Sequence, residues 1–194
     1  MKNILIVLLS MSMLISCSHQ IEDYKNTKPK FVLEEFFNNK LIARGIVQDY
    51  SNKMTRHFCV EIDANWQADG DNLVGTIDEE FYFDDGERQN RIWSITRIED
   101  NGKVSYQGTA NDVPELAYGS SEGNAFRWQY ELSVAIKDDD GGSTTYVFDV
   151  DDWMYQLDEN YMFNRSSLIK FGIEVGQISI YFDKQTPFQQ CQAA

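Results

Sequence analysis

Phe126-Arg127-Trp128-Gln129-Tyr130-Glu131-Leu132-Ser133-Val134-Ala135-Ile136-Lys137 is the stretch that decides the fold. Its large apolar side chains fall on every second position from Phe126 to Ile136, with charged, polar or small residues between them. A period of two places one set on each face of an extended chain, so the segment reads as a strand with one buried and one wet side. A helix, with its period of 3.6, would scatter the same residues around its circumference.

Similar alternation runs through Arg56 to Trp66, Leu73 to Phe83, Gln89 to Ile98, Thr145 to Leu157, Tyr161 to Phe171 and Val175 to Phe182. Between these segments stand Asp69-Gly70, Asp85-Gly86, Asn101-Gly102 and Asp140-Gly141, pairs that tolerate the positive φ of a tight hairpin. The connections are therefore nearest-neighbour and antiparallel. Pro29, Pro114 and Pro187 all fall outside the proposed strands, where no ladder hydrogen bond is lost. Phe31-Val32-Leu33-Glu34-Glu35-Phe36-Phe37 is the one segment with helical spacing, and it is short. With about eight to ten strands and no crossover helices, the sheet must close or fold on itself to hide its edges. The expectation is an all-β protein, an antiparallel up-and-down β-barrel of the lipocalin kind with one short N-terminal helix. A two-sheet β-sandwich is the alternative.

The ends of the chain carry a different message. Met1-Lys2 is followed by an apolar run from Ile4 to Ile15, too short to span a bilayer but the length of a secretory signal. The run ends in Leu14-Ile15-Ser16-Cys17, which resembles the bacterial lipobox of leucine, any residue, a small residue and cysteine. The expected organisation is a signal peptide over 1–16, a lipidated Cys17 with a flexible tether over 17–30, one β-barrel domain over 31–184, and a polar tail over 185–194. Each buried methylene of an acyl chain contributes about 0.8 kcal/mol, so several chains on Cys17 would hold the protein firmly. Ser18 follows the cysteine; the known sorting rule keeps lipoproteins with aspartate there in the inner membrane, so the outer membrane, with the domain facing the periplasm, is the expected location.

Residues 1–16 contain Lys2 as their sole charged side chain, and removing them leaves 16 basic against 31 acidic residues, a formal charge of −15. Such a surface repels phosphate backbones and argues against nucleic acid. It also gives no attraction to anionic lipid head groups, leaving the acyl anchor as the means of attachment. Cys59 and Cys191 remain in a compartment that permits disulfides. They are read either as a bridge or as a buried thiol beside His57 and a cysteine in the tail.

Several phrases, in order along the mature chain, carry a family resemblance. They are Gly45-Ile46-Val47-Gln48-Asp49, Gly75-Thr76-Ile77-Asp78-Glu79-Glu80-Phe81, Asp85-Gly86-Glu87 with Arg91-Ile92-Trp93, Gly123-Asn124-Ala125-Phe126-Arg127-Trp128, Asp151-Asp152-Trp153-Met154-Tyr155, Asn164-Arg165, and Lys170-Phe171-Gly172 with Val175-Gly176. The chain resembles a family of uncharacterised bacterial lipoproteins, catalogued as a domain of unknown function. It departs from that pattern at Tyr50, where a basic residue is expected. The resemblance implies a membrane-tethered domain with a barrel-like fold and no established activity.

No nucleophile elbow, phosphate loop or nucleotide-binding glycine pattern occurs, so the sequence offers no catalytic motif and calls for no cofactor. Asp138-Asp139-Asp140-Gly141 lacks the glutamate that a calcium loop places six residues after its glycine. His57 and Cys59 share a strand face but have no local third ligand for a metal. Asp78, Glu79 and Glu80 read mainly as a solvated outer face, with Glu79 pointing the other way. The candidate ligand-binding set is aromatic and charged: Arg44, Arg91, Trp93, Trp128, Tyr130, Asp152, Trp153, Tyr155 and Arg165. The arginines stand in strands, where an unpaired buried charge is costly. They face solvent, pair with acids such as Asp152, or grip an anionic ligand; in the last case a fatty acid or other lipid suits a barrel with an apolar cavity and a few polar anchors. The competing reading is an envelope scaffold, a solid barrel that docks an unknown protein partner through its acidic surface or the Trp153-Met154-Tyr155 strand.

Overall fold

The computed structural model describes residues 19–70, 72–137 and 140–191. The signal segment, Cys17, Asp138 and Asp139 lie outside the described residues. Ten strands follow one another along the chain: β1 (Asn39–Asp49), β2 (Met54–Asp69), β3 (Asn72–Phe83), β4 (Arg88–Asp100), β5 (Lys103–Ala110), β6 (Val113–Glu122), β7 (Ala125–Lys137), β8 (Ser143–Gln156), β9 (Tyr161–Lys170) and β10 (Ile173–Asp183). Each pairs antiparallel with its sequence neighbours, and β1 pairs with β10 from Ile42 opposite Asp183 to Asp49 opposite Gly176, closing an up-and-down barrel. Closure removes the free sheet edges that a sandwich would have to protect. The turn pairs do what their composition requires: Gly70, Gly86, Gly102 and Gly141 all adopt positive φ.

Three of the ten strands, β1, β5 and β6, have no counterpart among the seven alternating segments of the sequence, although the expected count of about eight to ten allows for them. β1 lacks clean alternation, and in β5 and β6 the pattern is broken by Gly108 and Gly119, each of which lies beneath large aromatic side chains. Gly119 on β6 lies under Phe126 and Trp128, whose ring atoms stand 2.6 and 2.9 Å from where a Cβ would sit. Pro114 falls inside β6 rather than outside every strand, one residue from its start. The ladder from β6 to β7 runs from Tyr118 to Glu122, so the missing proline N–H leaves no gap in it.

One end of the barrel is plugged. The helical spacing in Phe31 to Phe37 yields a single turn, α1 (Leu33–Phe36), and Phe31, Leu33, Phe36 and Phe37 are all buried in the principal core with Phe126, Met162 and Phe182. Glu34 on α1 pairs with Arg97 at 2.9 Å and accepts a hydrogen bond from the Tyr106 hydroxyl at 2.7 Å. The Trp66 indole N–H donates to the Phe37 carbonyl at 2.6 Å, fixing the other side of the plug to β2.

Both terminal segments are held against the outer wall, which corrects the reading of a free tether up to residue 30 and of a loose polar tail. A 3₁₀ turn (Ile21–Tyr24) lies over β6 and β7, with the His19 ring 4.1 Å and the Tyr24 ring 5.8 Å from Trp153 on β8. Thr27 Oγ1 accepts from the Asn124 amide, and the Phe31 amide donates to the Gly123 carbonyl at 2.7 Å. At the other terminus a disulfide joins Cys191 to Cys59, 132 residues apart, over a small outer core of Ile42, Tyr82 and Phe188. Of the two readings of Cys59, the bridge is the one found. Glu61 is buried beneath the tail and accepts from the Cys191 amide. His57 is exposed and lies 3.5 Å from Asp84.

Candidate functional site

The pleat fixes which residues enter the barrel. Along β7 the inward set is Phe126, Trp128, Tyr130, Leu132 and Val134; register carries the inward face to Met154, Asp152 and Val150 on β8, and then to Asn164, Ser166 and Leu168 on β9. On the opposite wall Phe58, Phe81 and Phe83 face inward with Glu79 and Ile77 on β3, and Arg91, Trp93 and Ile95 on β4. Aromatic and aliphatic side chains fill the plugged half. Towards the β1–β2, β3–β4 and β7–β8 turns the barrel is hollow, with a cavity of about 970 Å³ that opens at that end. This volume is at the upper end of small-molecule sites. The structure contradicts the solid barrel required by the scaffold reading.

A polar cluster crosses the middle of the cavity. Arg91 is forked onto Asp112 from the β5–β6 turn, its Nε 2.8 Å and its Nη2 2.6 Å from Oδ2. Its Nη1 lies 3.9 Å from Glu79 Oε2, too far for a hydrogen bond. Burial works against the charge on Arg91, but Tyr130, Glu79 and Asp112 outweigh it and hold its pKa above the ordinary value. Burial raises Glu79 to about 7, against the opposing pull of Arg91. Asp152 is raised by burial to about 6, although Asn164 Nδ2 and the Ser166 hydroxyl both donate to its Oδ1. Tyr130 is pushed up by burial and by the neighbouring Asp152. Trp93 stacks on Trp128 at 5.7 Å and meets Tyr130 edge-on at 5.4 Å, forming an aromatic wall beside these charges.

Five of the nine anticipated residues, Arg91, Trp93, Trp128, Tyr130 and Asp152, thus meet in one cavity. The other four are on the outside, for a reason of parity. Ala43 and Gly45 face inward, so Arg44 between them is exposed; Asn164 and Ser166 face inward, so Arg165 points to solvent, where its Nε donates to Gln177. Asp152 and Trp153 are adjacent on β8 and cannot share a face. Trp153 and Tyr155 stack on each other outside the barrel, beneath His19 and Tyr24.

Glu79, Asp112, Asn164, Ser166 and Arg56 belong to the site and were not in the anticipated set. The parity of Glu79 against Asp78 and Glu80 was a usable signal for its inward aim. Asp112 carried none, because it reaches Arg91 from a turn. Arg56 faces inward at the mouth, its Nη2 bonded to Asp85 at 2.9 Å and Glu87 at 3.1 Å, its guanidinium 3.7 Å above the Phe83 ring. Among the described residues no group of three or more His, Cys, Asp or Glu side chains is arranged to hold a metal ion.

Comparison with solved structures places this architecture beside the S-type phycobiliprotein lyase CPES from Guillardia theta. The TM-score is 0.54 at 9% sequence identity, with 88% of this chain and 99% of that chain covered. At this identity the likeness is one of fold, a lipocalin-like barrel. No curated protein matches the sequence. A family described as "Protein of unknown function (DUF3833)" matches residues 11–184, from within the N-terminal apolar run to the end of β10. Because that match spans the whole barrel, the chain belongs to the DUF3833 family.

Proposed function

We propose that this protein is a lipid-anchored envelope protein whose barrel binds a lipid or another small, largely apolar ligand. The observation that carries the reading is the open cavity of about 970 Å³, apolar over most of its wall and crossed by a compact polar cluster. Ligand sites combine these two features, the apolar wall for affinity and a few fixed polar groups for orientation. A core selected for stability alone would fill the space, since voids forfeit packing energy. The likeness to a phycobiliprotein lyase concerns the shape of the barrel, and the reading rests on the cavity.

Two features support an envelope location. Leu14-Ile15-Ser16-Cys17 has the form of a lipoprotein processing site. The Cys59–Cys191 disulfide suits an oxidising compartment such as the periplasm. With Cys17 two residues before His19, a lipid on Cys17 would lie within roughly 7 Å of the packed segment, and the barrel would sit close to the bilayer. C17A should accumulate as unprocessed precursor; normal maturation of that variant would remove the anchor from the account.

Binding is tested on the chain from residue 18 to 194, which contains all ten strands, the plug and the disulfide. Native mass spectrometry after gentle purification should show an adduct of small-molecule mass that organic extraction removes. The stripped protein should then take up the neutral fluorophore N-phenyl-1-naphthylamine saturably. Arg44→Ala and Arg165→Ala, on the outer wall, should leave uptake unchanged. A protein that carries no adduct and takes up no fluorophore would refute the proposal.

A further inference from the structure

The charge lining the cavity is lopsided. Its cations among the described residues are Arg56 and Arg91, against the carboxyls of Glu79, Asp85, Glu87, Asp112 and Asp152. Both guanidiniums are already engaged, Arg56 by Asp85 and Glu87 at the mouth and Arg91 by the two oxygens of Asp112 deeper inside. Glu79 shares Arg91 with Asp112, at 3.9 Å and without a hydrogen bond from it, and Asp152 has no cation within ion-pair distance among the described residues. Asp152 is held by the neutral donors Asn164 and Ser166. Glu79 Oε2 is buried with no hydrogen-bond partner, one of two such side-chain atoms among the described residues; the other is Nε of Arg56.

A buried carboxyl oxygen without a donor is costly, and the cost falls when a ligand supplies the donor. A carboxylate ligand cannot do so. It would enter a cavity in which the acids outnumber the arginines and each arginine already faces an acid. An ammonium group brings both the missing N–H and the missing charge, in the charge-assisted hydrogen bonds that are the strongest of their kind. Burial among apolar walls strengthens that attraction relative to water.

Resting on the reading of the cavity as a ligand site, we propose that the ligand's polar end is a protonated amine, seated against Glu79 and Asp152 beside Tyr130, with its apolar body along the Trp93 and Trp128 wall. This replaces the fatty acid expected from the strand arginines alone. Seating the cation drives the proton from Glu79 to solvent. Arg91, Asp112, Tyr130 and Asp152 act on Glu79 from β4, the β5–β6 turn, β7 and β8, and Arg56, Asp85 and Glu87 are the titratable groups at the mouth.

The test uses three ligands with one chain length, dodecylamine, dodecanol and dodecanoate, each displacing N-phenyl-1-naphthylamine from the stripped 18–194 chain at pH 7.5. Dodecylamine should bind at least about tenfold tighter than dodecanol, and dodecanoate weaker than dodecanol. E79Q should bring the amine to within about threefold of the alcohol. The wild-type ranking decides the matter even if E79Q does not fold. Equal affinity for amine and alcohol, or dodecanoate binding tightest through Arg56 or Arg91, would overturn the amine and leave the cavity as a ligand site. An E79Q variant that keeps the wild-type preference would also overturn the assignment. No displacement by any of the three would overturn it together with the ligand-site reading.

Discussion

Glu79→Gln isolates the energetic cost of keeping an acid inside the barrel. Burial is the main cause of the rise in the Glu79 pKa from its ordinary 4.5 to about 7, and the opposing charge of Arg91 does not cancel it. A raised carboxyl pKa means that the folded chain holds this proton more tightly than the unfolded chain. The resulting stabilisation is fully present below pH 4.5 and is lost as the pH rises through 7. At about 1.4 kcal/mol per pH unit the whole effect is roughly 3 kcal/mol, of which about 2 kcal/mol falls between pH 5.5 and 8. Glutamine keeps the shape and cannot ionise. Urea denaturation of ligand-free wild type and E79Q at the two pH values gives the difference in stability at each. That difference should move in favour of E79Q by about 2 kcal/mol between pH 5.5 and 8. Asp152, raised by burial to about 6, adds a slope of the same sign to both proteins. A difference that stays constant with pH would show that Glu79 is ionised throughout, and the account of the buried cluster would fail.

Two other predictions concern the segments packed on the outer wall. Closing a loop of 132 residues, the Cys59–Cys191 bridge should contribute up to about 5 kcal/mol by chain entropy, so C59S/C191S should unfold at markedly lower urea and its wild-type counterpart should shift likewise with dithiothreitol. An unchanged midpoint would refute that role. Gly123 has φ +55°, and a Cβ there would run into the Tyr24 carbonyl and the Thr27 hydroxyl. G123A should free residues 19–30 for limited proteolysis at a cost of about 1–3 kcal/mol, with fluorophore uptake intact; a segment as protected as in wild type would count against its docking.

Alternation made the barrel legible, because a period of two is a property of the chain itself. β7 needed no partner to declare its faces, and four aspartate–glycine or asparagine–glycine pairs marked hairpins from local backbone preference. Parity along β1, β8 and β9 also held the information that separates Arg44, Trp153, Tyr155 and Arg165 from the interior, since each has inward-facing neighbours on both sides in its strand. What only the tertiary structure decided is how the faces meet. Arg91 finds Asp112 in a turn 21 residues on; Asp152 gains Asn164 and Ser166 through the β8–β9 register; and the tail reaches Cys59 across 132 residues. These are pairings between segments that no local pattern encodes. The hollow itself is of the same kind: whether inward side chains fill a barrel depends on the sum of their volumes around a closed ring, and that sum exists only once β1 has met β10.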